Sequence, residues 1–321
     1  MTKSYPTKRN IFILLTLLCL LLIIFFQLSI PQQPTQHQPF KIEFDKNKLL
    51  KNPYLFLIEI VILGYLAAIL YGFFNLINFV SHNLKKPLFR FQKQDKSFPL
   101  SQENSSRLLF LIMLLALLIY FLQWLIIIFK LRVNPLGAIV FSNLAIEAGC
   151  ALIVLRYLKA SYLDFKLTYG RVLDAARKYL TILPVIVGII FINNFILEKF
   201  GITPSINPAI EVFLKIKNIP LLSIFTLQIV FFGPIVEELF FRGFIYKLLR
   251  KKYNFLLSAF SSSLIFAMLH RSSQDILPLL LLSITLCYVY EKSNNIVCPI
   301  LFHILNNSLN ISFLFLIKAL A

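Results

Sequence analysis

The chain is poor in acids. Asp and Glu number 14 against 32 Lys and Arg, a formal net charge of +18 over 321 residues. Cysteine and histidine are scarcer still, at four each. Cys19, Cys150, Cys287 and Cys298 each lie in or beside an apolar run, and no C-x-x-C pair occurs. That argues against a disulfide framework or a cysteine-built zinc site and leaves small buried hydrophobes. There is no H-E-x-x-H signature and no obvious internal repeat. An A-x-A-like cleavage site is missing as well. The first apolar run, residues 11–30, ends in Ser29-Ile30-Pro31-Gln32 and exceeds the ~7–15-residue core of a secretory signal. It is expected to stay as a membrane helix.

What the chain does have is apolar length. It is 58% hydrophobic with a mean hydropathy of +0.79, against about 45–50% for soluble domains. Several runs exceed the ~18 residues that mark a membrane span. The expected fold is all-α, a polytopic bundle of eight to nine transmembrane helices. Nine are placed, over residues 11–30, 54–80, 108–129, 136–155, 180–197, 220–249, 255–270, 276–290 and 296–316. The proline-rich stretch 31–53 reads as an extended loop. Residues 156–179 read as a basic membrane-surface segment or loop.

Basic residues cluster beside apolar runs, in 81–107, 156–179 and 250–252. That pattern fits topology and anionic headgroups, not nucleic acid. Lys3, Lys8 and Arg9 put the N-terminus in the cytoplasm, and alternation then makes the three basic loops cytoplasmic too. The expected location is the cell membrane, with membrane lipids as partners.

Ionisable groups inside lipid are costly and default to function. Three constellations near the C-terminus qualify: Glu237-Glu238-x-x-x-Arg242, Phe266-x-x-x-His270 and His303-x-x-x-Asn307. Adjacent helical residues point about 100° apart, so the two glutamates cannot share one task. Glu238 and Arg242 are spaced to pair, which compensates a buried charge. Glu237 is left free as a general base. Phe266 can pack beside His270 and hold its rotamer. His303 and Asn307 share a face and offer donors to an oxyanion. At 1.5 Å per residue Glu237, His270 and Asn307 lie about 18, 22 and 16 Å from the cytoplasmic ends of their helices, so they can meet. Glu59 and Glu147 also fall in apolar runs and are expected to face protein or a watery cavity. Asn193, Asn194 and Gln228 are expected to be interhelical hydrogen-bonders.

The three motifs, in this order on successive apolar helices, resemble the CPBP (CAAX protease and bacteriocin-processing, Abi) family of intramembrane proteases, which includes the type II CAAX prenyl endopeptidases. The resemblance covers about residues 180–316. It implies a protease domain over 131–321 and makes residues 1–130, with three helices, an N-terminal membrane extension. It implies an intramembrane endopeptidase acting on a membrane-associated peptide or lipidated protein. Carried over, Glu237 and His270 activate water, His303 and Asn307 stabilise the oxyanion, Glu238 and Arg242 support the site, and Phe266 packs it. Zinc on Glu237, His270 and His303 is the alternative. A metal-free glutamate mechanism is favoured because it also uses Asn307. A non-catalytic immunity or scaffold protein on the same fold, or an ion-coupled transporter, are the rival readings.

Overall fold

The computed structural model describes residues 8–29, 55–83, 100–129, 133–158, 163–203, 207–270 and 272–320. The expected loop 31–53, most of the basic loop 81–107, and Lys3 lie largely or wholly outside them. Ten helices make up the described chain: α1 (Lys8–Ser29), α2 (Leu55–Asn83), α3 (Gln102–Ile128), α4 (Pro135–Leu158), α5 (Tyr169–Lys199), α6 (Pro208–Lys215), α7 (Ile219–Arg250), α8 (Phe255–Leu269), α9 (Ile276–Ser293) and α10 (Val297–Leu320). No strand occurs among the described residues. Seven helices are long and apolar enough to cross a membrane, and α1 and α8 add two shorter apolar helices. Leu14, Phe56, Leu70, Leu152, Phe191 and Met268 are all more than 60% exposed. Side chains of that kind need lipid around them. The protein is an integral membrane protein.

Two elements differ from the sequence expectation. Helix α5 begins at Tyr169, so nearly half of the expected surface segment, residues 169–179, is the first part of a membrane helix. Thr168 caps it by accepting from the Arg171 amide. The short helix α6 was not anticipated. Asn207 caps its start at 2.9 Å, and Pro208 opens it. Lys318, near the end of α10, closes it by donating to the carbonyls of Phe213 (2.8 Å) and Ile216.

The N-terminal helices pack on the outside of the bundle. Helix α1 lies on α3, α3 on α4, and α2 on α5. Gly72 permits the last approach, since a Cβ there would sit 2.8 Å from Pro184 Cδ and run into the Leu180 carbonyl. At the centre α7 packs against α4, α8, α9 and α10. Three apolar clusters surround it, built on Phe244 and Ile296, on Leu286 and Phe302, and on Phe213 and Val140. At the end of α7, Arg250 donates to Glu291 of α9 at 2.6 Å, and the Tyr246 hydroxyl donates to the same carboxylate at 2.6 Å. All four cysteines are buried and free.

Helix α7 is not uniform. Two π-helical segments, Gln228–Phe232 and Phe241–Tyr246, flank the α-turns Gly233–Phe240 that carry both glutamates. The first follows from Pro234. The Gly233 amide bonds to Gln228 O in π register. The next carbonyl, Ile229 O, would then face Pro234, which has no N–H to give.

Candidate active site

The orphaned Ile229 carbonyl is filled by a side chain. Asn307 Nδ2 of α10 donates to it at 2.9 Å. One of the three expected constellations is thereby fastened to another, across 78 residues of sequence. Asn306 Nδ2 in turn donates to Asn307 Oδ1 at 3.2 Å.

Glu238 and Arg242 are fully buried and paired at 2.9 Å, as their spacing predicts. Arg242 reaches further than Glu238. Its Nη2 donates to the Ser283 carbonyl at 3.0 Å and hydroxyl at 2.8 Å, and its guanidinium lies 5.1 Å from the Phe266 ring centre. One cation thus joins α7, α9 and α8. Glu238 Oε1 also takes a bond from His303 Nδ1 at 2.9 Å. With Glu238 ionised by Arg242, that nitrogen carries the hydrogen, and His303 Nε2 is turned away from Glu238. It lies 3.8 Å from Glu237 Oε2. Glu238 is therefore more than a partner for Arg242, because it also orients the imidazole that faces Glu237.

His270 caps the C-terminal end of α8. Its Nδ1 bonds to the Phe266 carbonyl at 2.8 Å, and its ring is 4.6 Å from the Phe266 ring, the contact its spacing predicts. Phe266 is fully buried and also meets Phe241 at 5.0 Å and His303 at 5.9 Å, both edge to face. Helix α8 has 15 residues, about 22 Å. That is short of the ~30 Å hydrocarbon core, so a start at one membrane face would leave its end, with His270, inside the bilayer. Backbone leaving a helix at that depth must find donors within the protein. Asn193 of α5 supplies them, giving its Nδ2 to Ser273 O (3.3 Å) and Gln274 O (2.8 Å).

These groups converge on one cavity of about 410 Å³, whose lining includes Glu237, His270, His303, Asn307, Asn306 and Glu147. Glu237 reaches it with a side chain 35% exposed, whereas His303 is 3% exposed. All four residues expected to do chemistry border the same space. Glu238, Arg242 and Phe266 form the wall behind them. Glu147 is the addition. It projects from α4, accepts from Gln228 Nε2 at 3.1 Å, and faces Glu237. An acid in the middle of a 24-residue apolar helix was the signal for it. Its partners lie 81 or more residues away, where no spacing rule reaches. Glu59 differs from expectation, being exposed near the start of α2. Asn193 and Gln228 bond between elements as expected, while Asn194 Oδ1 is buried without a partner.

Among the described residues no group of three or more His, Cys, Asp or Glu side chains is close enough to hold a metal ion. One nitrogen of each imidazole is bonded, His303 to a carboxylate and His270 to a carbonyl, an arrangement that metal-binding histidines also use.

A bundle of apolar helices with a buried polar site around a cavity is the design of a membrane protein that does chemistry or binding within the bilayer. Residues 219–309 match the family model for type II CAAX prenyl endopeptidase Rce1-like proteins. The match spans all three motifs. A stretch of 76 residues is 33% identical to the Bacillus subtilis (strain 168) protein named "Putative membrane peptidase YdiL". It covers 24% of this chain and 31% of that protein, so the chain spans about a third of the length of the curated relative it matches. No solved structure matches the chain. The resemblance read from the motifs holds over the segment that carries them.

Proposed function

We propose that the protein is an intramembrane endopeptidase that hydrolyses a peptide bond in a membrane-associated protein or peptide. The single observation behind this reading is Glu237 Oε2 standing 3.8 Å from His303 Nε2 at the edge of the cavity, with His303 held from behind by Glu238. Glu237 Oε2 is itself enclosed, and the remainder of the side chain, 35% exposed overall, opens to the cavity where the water would bind. Glu237 accepts its proton as the water oxygen attacks the scissile carbonyl. His270, with Nδ1 given to a carbonyl, turns its other nitrogen to the same water. The developing oxyanion takes hydrogen bonds from protonated His303, whose charge Glu238 stabilises, and from the second N–H of Asn307. Arg242 keeps Glu238 ionised throughout. Water needs a route to Glu237, and the cytoplasmic side is the proposed one, with the N-terminus on that side in the cell membrane. The family description makes a prenylated protein tail the first substrate class to try. We further propose that residues 1–130 are an extension around the protease core.

Glu237→Gln should abolish cleavage while the protein still folds and inserts. Proteomics of membrane fractions carrying wild type or this variant should reveal substrates with unprocessed ends. Equal processing in both would overturn the mechanism. The acid-and-water reading also expects full activity after chelation and metal removal. Activity lost to a chelator and restored by zinc would replace it.

A further inference from the structure

We infer that Glu147 is the second working carboxyl of the site, carrying the proton that the leaving amine receives. The inference rests on the endopeptidase reading and completes its proton balance.

Among the described residues, each acid of α7 has a basic side chain beside it, and Glu147 of α4 has none. Arg242 balances Glu238 at 2.9 Å. His303 Nε2 stands 3.8 Å from Glu237 Oε2. Among the described residues nothing balances Glu147. Its one bond partner is the neutral amide of Gln228, and its Oε2 is buried without a donor. The titratable groups bordering the same cavity are Glu237 from α7, His303 from α10, His270 and Asp275 at the α8–α9 connection, Tyr65 from α2 and Tyr179 from α5, with no Lys or Arg among the described lining residues. A lone ionised carboxylate there would be strongly disfavoured. The same group with its proton costs far less, and its O–H can point into the cavity.

Gly233 lies beside both acids. A Cβ built on it would lie 3.8 Å from Glu147 Oε1 and 3.8 Å from Glu237 Oε1. The absent side chain leaves both carboxyls open to the same part of the cavity. Two carboxyls on opposite sides of a scissile bond divide the labour of hydrolysis. Glu237 takes a proton from water as the O–C bond forms. Glu147 gives its proton to the amide nitrogen as the C–N bond breaks. Glu237 then holds one proton more and Glu147 one fewer, and transfer between them resets the pair. One water is consumed, and one acid and one amine are released.

Glu147→Gln keeps the shape and still bonds to Gln228, so it tests the proton and not the fold. It should lower kcat for a peptide substrate by about 10²–10⁴-fold, the usual worth of a general acid. It should leave KM and the cleavage of a nitrophenyl ester on the same carrier within a few-fold of wild type, because a phenolate leaves without a proton. It should also erase the alkaline limb of the pH–rate profile. Glu237→Gln should lose both substrates. Equal loss of peptide and ester cleavage in Glu147→Gln, or loss of neither, overturns the inference. An infrared difference spectrum reads the proton without any substrate. A neutral-carboxyl band in the wild type that vanishes in Glu147→Gln supports it, and an unchanged spectrum refutes it. If the band vanishes but the wild type cleaves nothing, the protonated acid stands and the endopeptidase reading falls.

Discussion

Replacing Arg242 with methionine should damage the protein more than any other single substitution around the cavity. Methionine fills a similar volume and keeps the packing on Phe266, so the loss is electrostatic. Arg242 and Glu238 are both fully buried. Removing the cation leaves Glu238 ionised in a dry site, a cost of about 3–5 kcal/mol. The Ser283 carbonyl and hydroxyl lose donors at 3.0 and 2.8 Å, which deepens the loss. Glu238→Gln combined with Arg242→Met removes both charges, and the glutamine oxygen can still accept from His303 Nδ1. The double variant should therefore recover much of the stability, with a coupling of about 1–3 kcal/mol between the sites. The four buried cysteines provide the assay. In detergent, the denaturant midpoint for maleimide labelling reports opening of the bundle. Cys287 is fully buried and 4.0 Å from Ser263, so it reports on this region directly. A cost under about 1 kcal/mol for Arg242→Met, or strict additivity in the double variant, would refute the argument, since either would mean Glu238 is not held as an anion by Arg242.

Asn307→Ala should both destabilise and inactivate. The Ile229 carbonyl loses its only side-chain donor, costing about 1–3 kcal/mol on unfolding, and turnover should fall by about 10²–10³-fold in a variant still mostly folded. A stability loss without a turnover loss would make Asn307 a purely structural clamp. Gly72→Ala should loosen α2 from α5 by about 1–3 kcal/mol, read as faster proteolysis of the N-terminal helices. Unchanged proteolysis would argue against that close approach. Asp164 is held below the ordinary carboxylate range by hydrogen bonds from Asn295 and the Lys166 amide. Its contribution is present above the unfolded value, near 3.9, and is lost as pH falls through the lower folded one. Asp164→Asn should lower stability at neutral pH and flatten that part of its acid-induced loss; identical acid titrations would refute it.

The particular residues divide by how far apart their partners are. Glu238 with Arg242 and Phe266 with His270 were legible because four residues along a helix bring side chains to one face, and the structure has both contacts. Pro234 carried a hidden signal. A missing N–H in α7 demands a substitute donor for a carbonyl, but only the fold says that it is Asn307. His303 was read as an oxyanion donor from its spacing to Asn307. Its bond to Glu238 is a contact across 65 residues, and no periodicity encodes it. Glu147 was visible only as an acid in an apolar run. The start of α5 at Tyr169 was masked by charges that, in the folded chain, belong to the end of a membrane helix.

Composition alone determined that this chain lives in a membrane, because its apolar runs have no other solvent. Helical period determined which motif residues share a face, and motif order determined the family they resemble. Which imidazole faces Glu237, which carbonyl occupies Asn307, and which acid stands opposite the base were decided only by how α4, α7, α8 and α10 pack. The reason is physical. A helix fixes its own neighbours three and four residues away, whereas the charge balance of a buried cavity is a property of all the helices that enclose it.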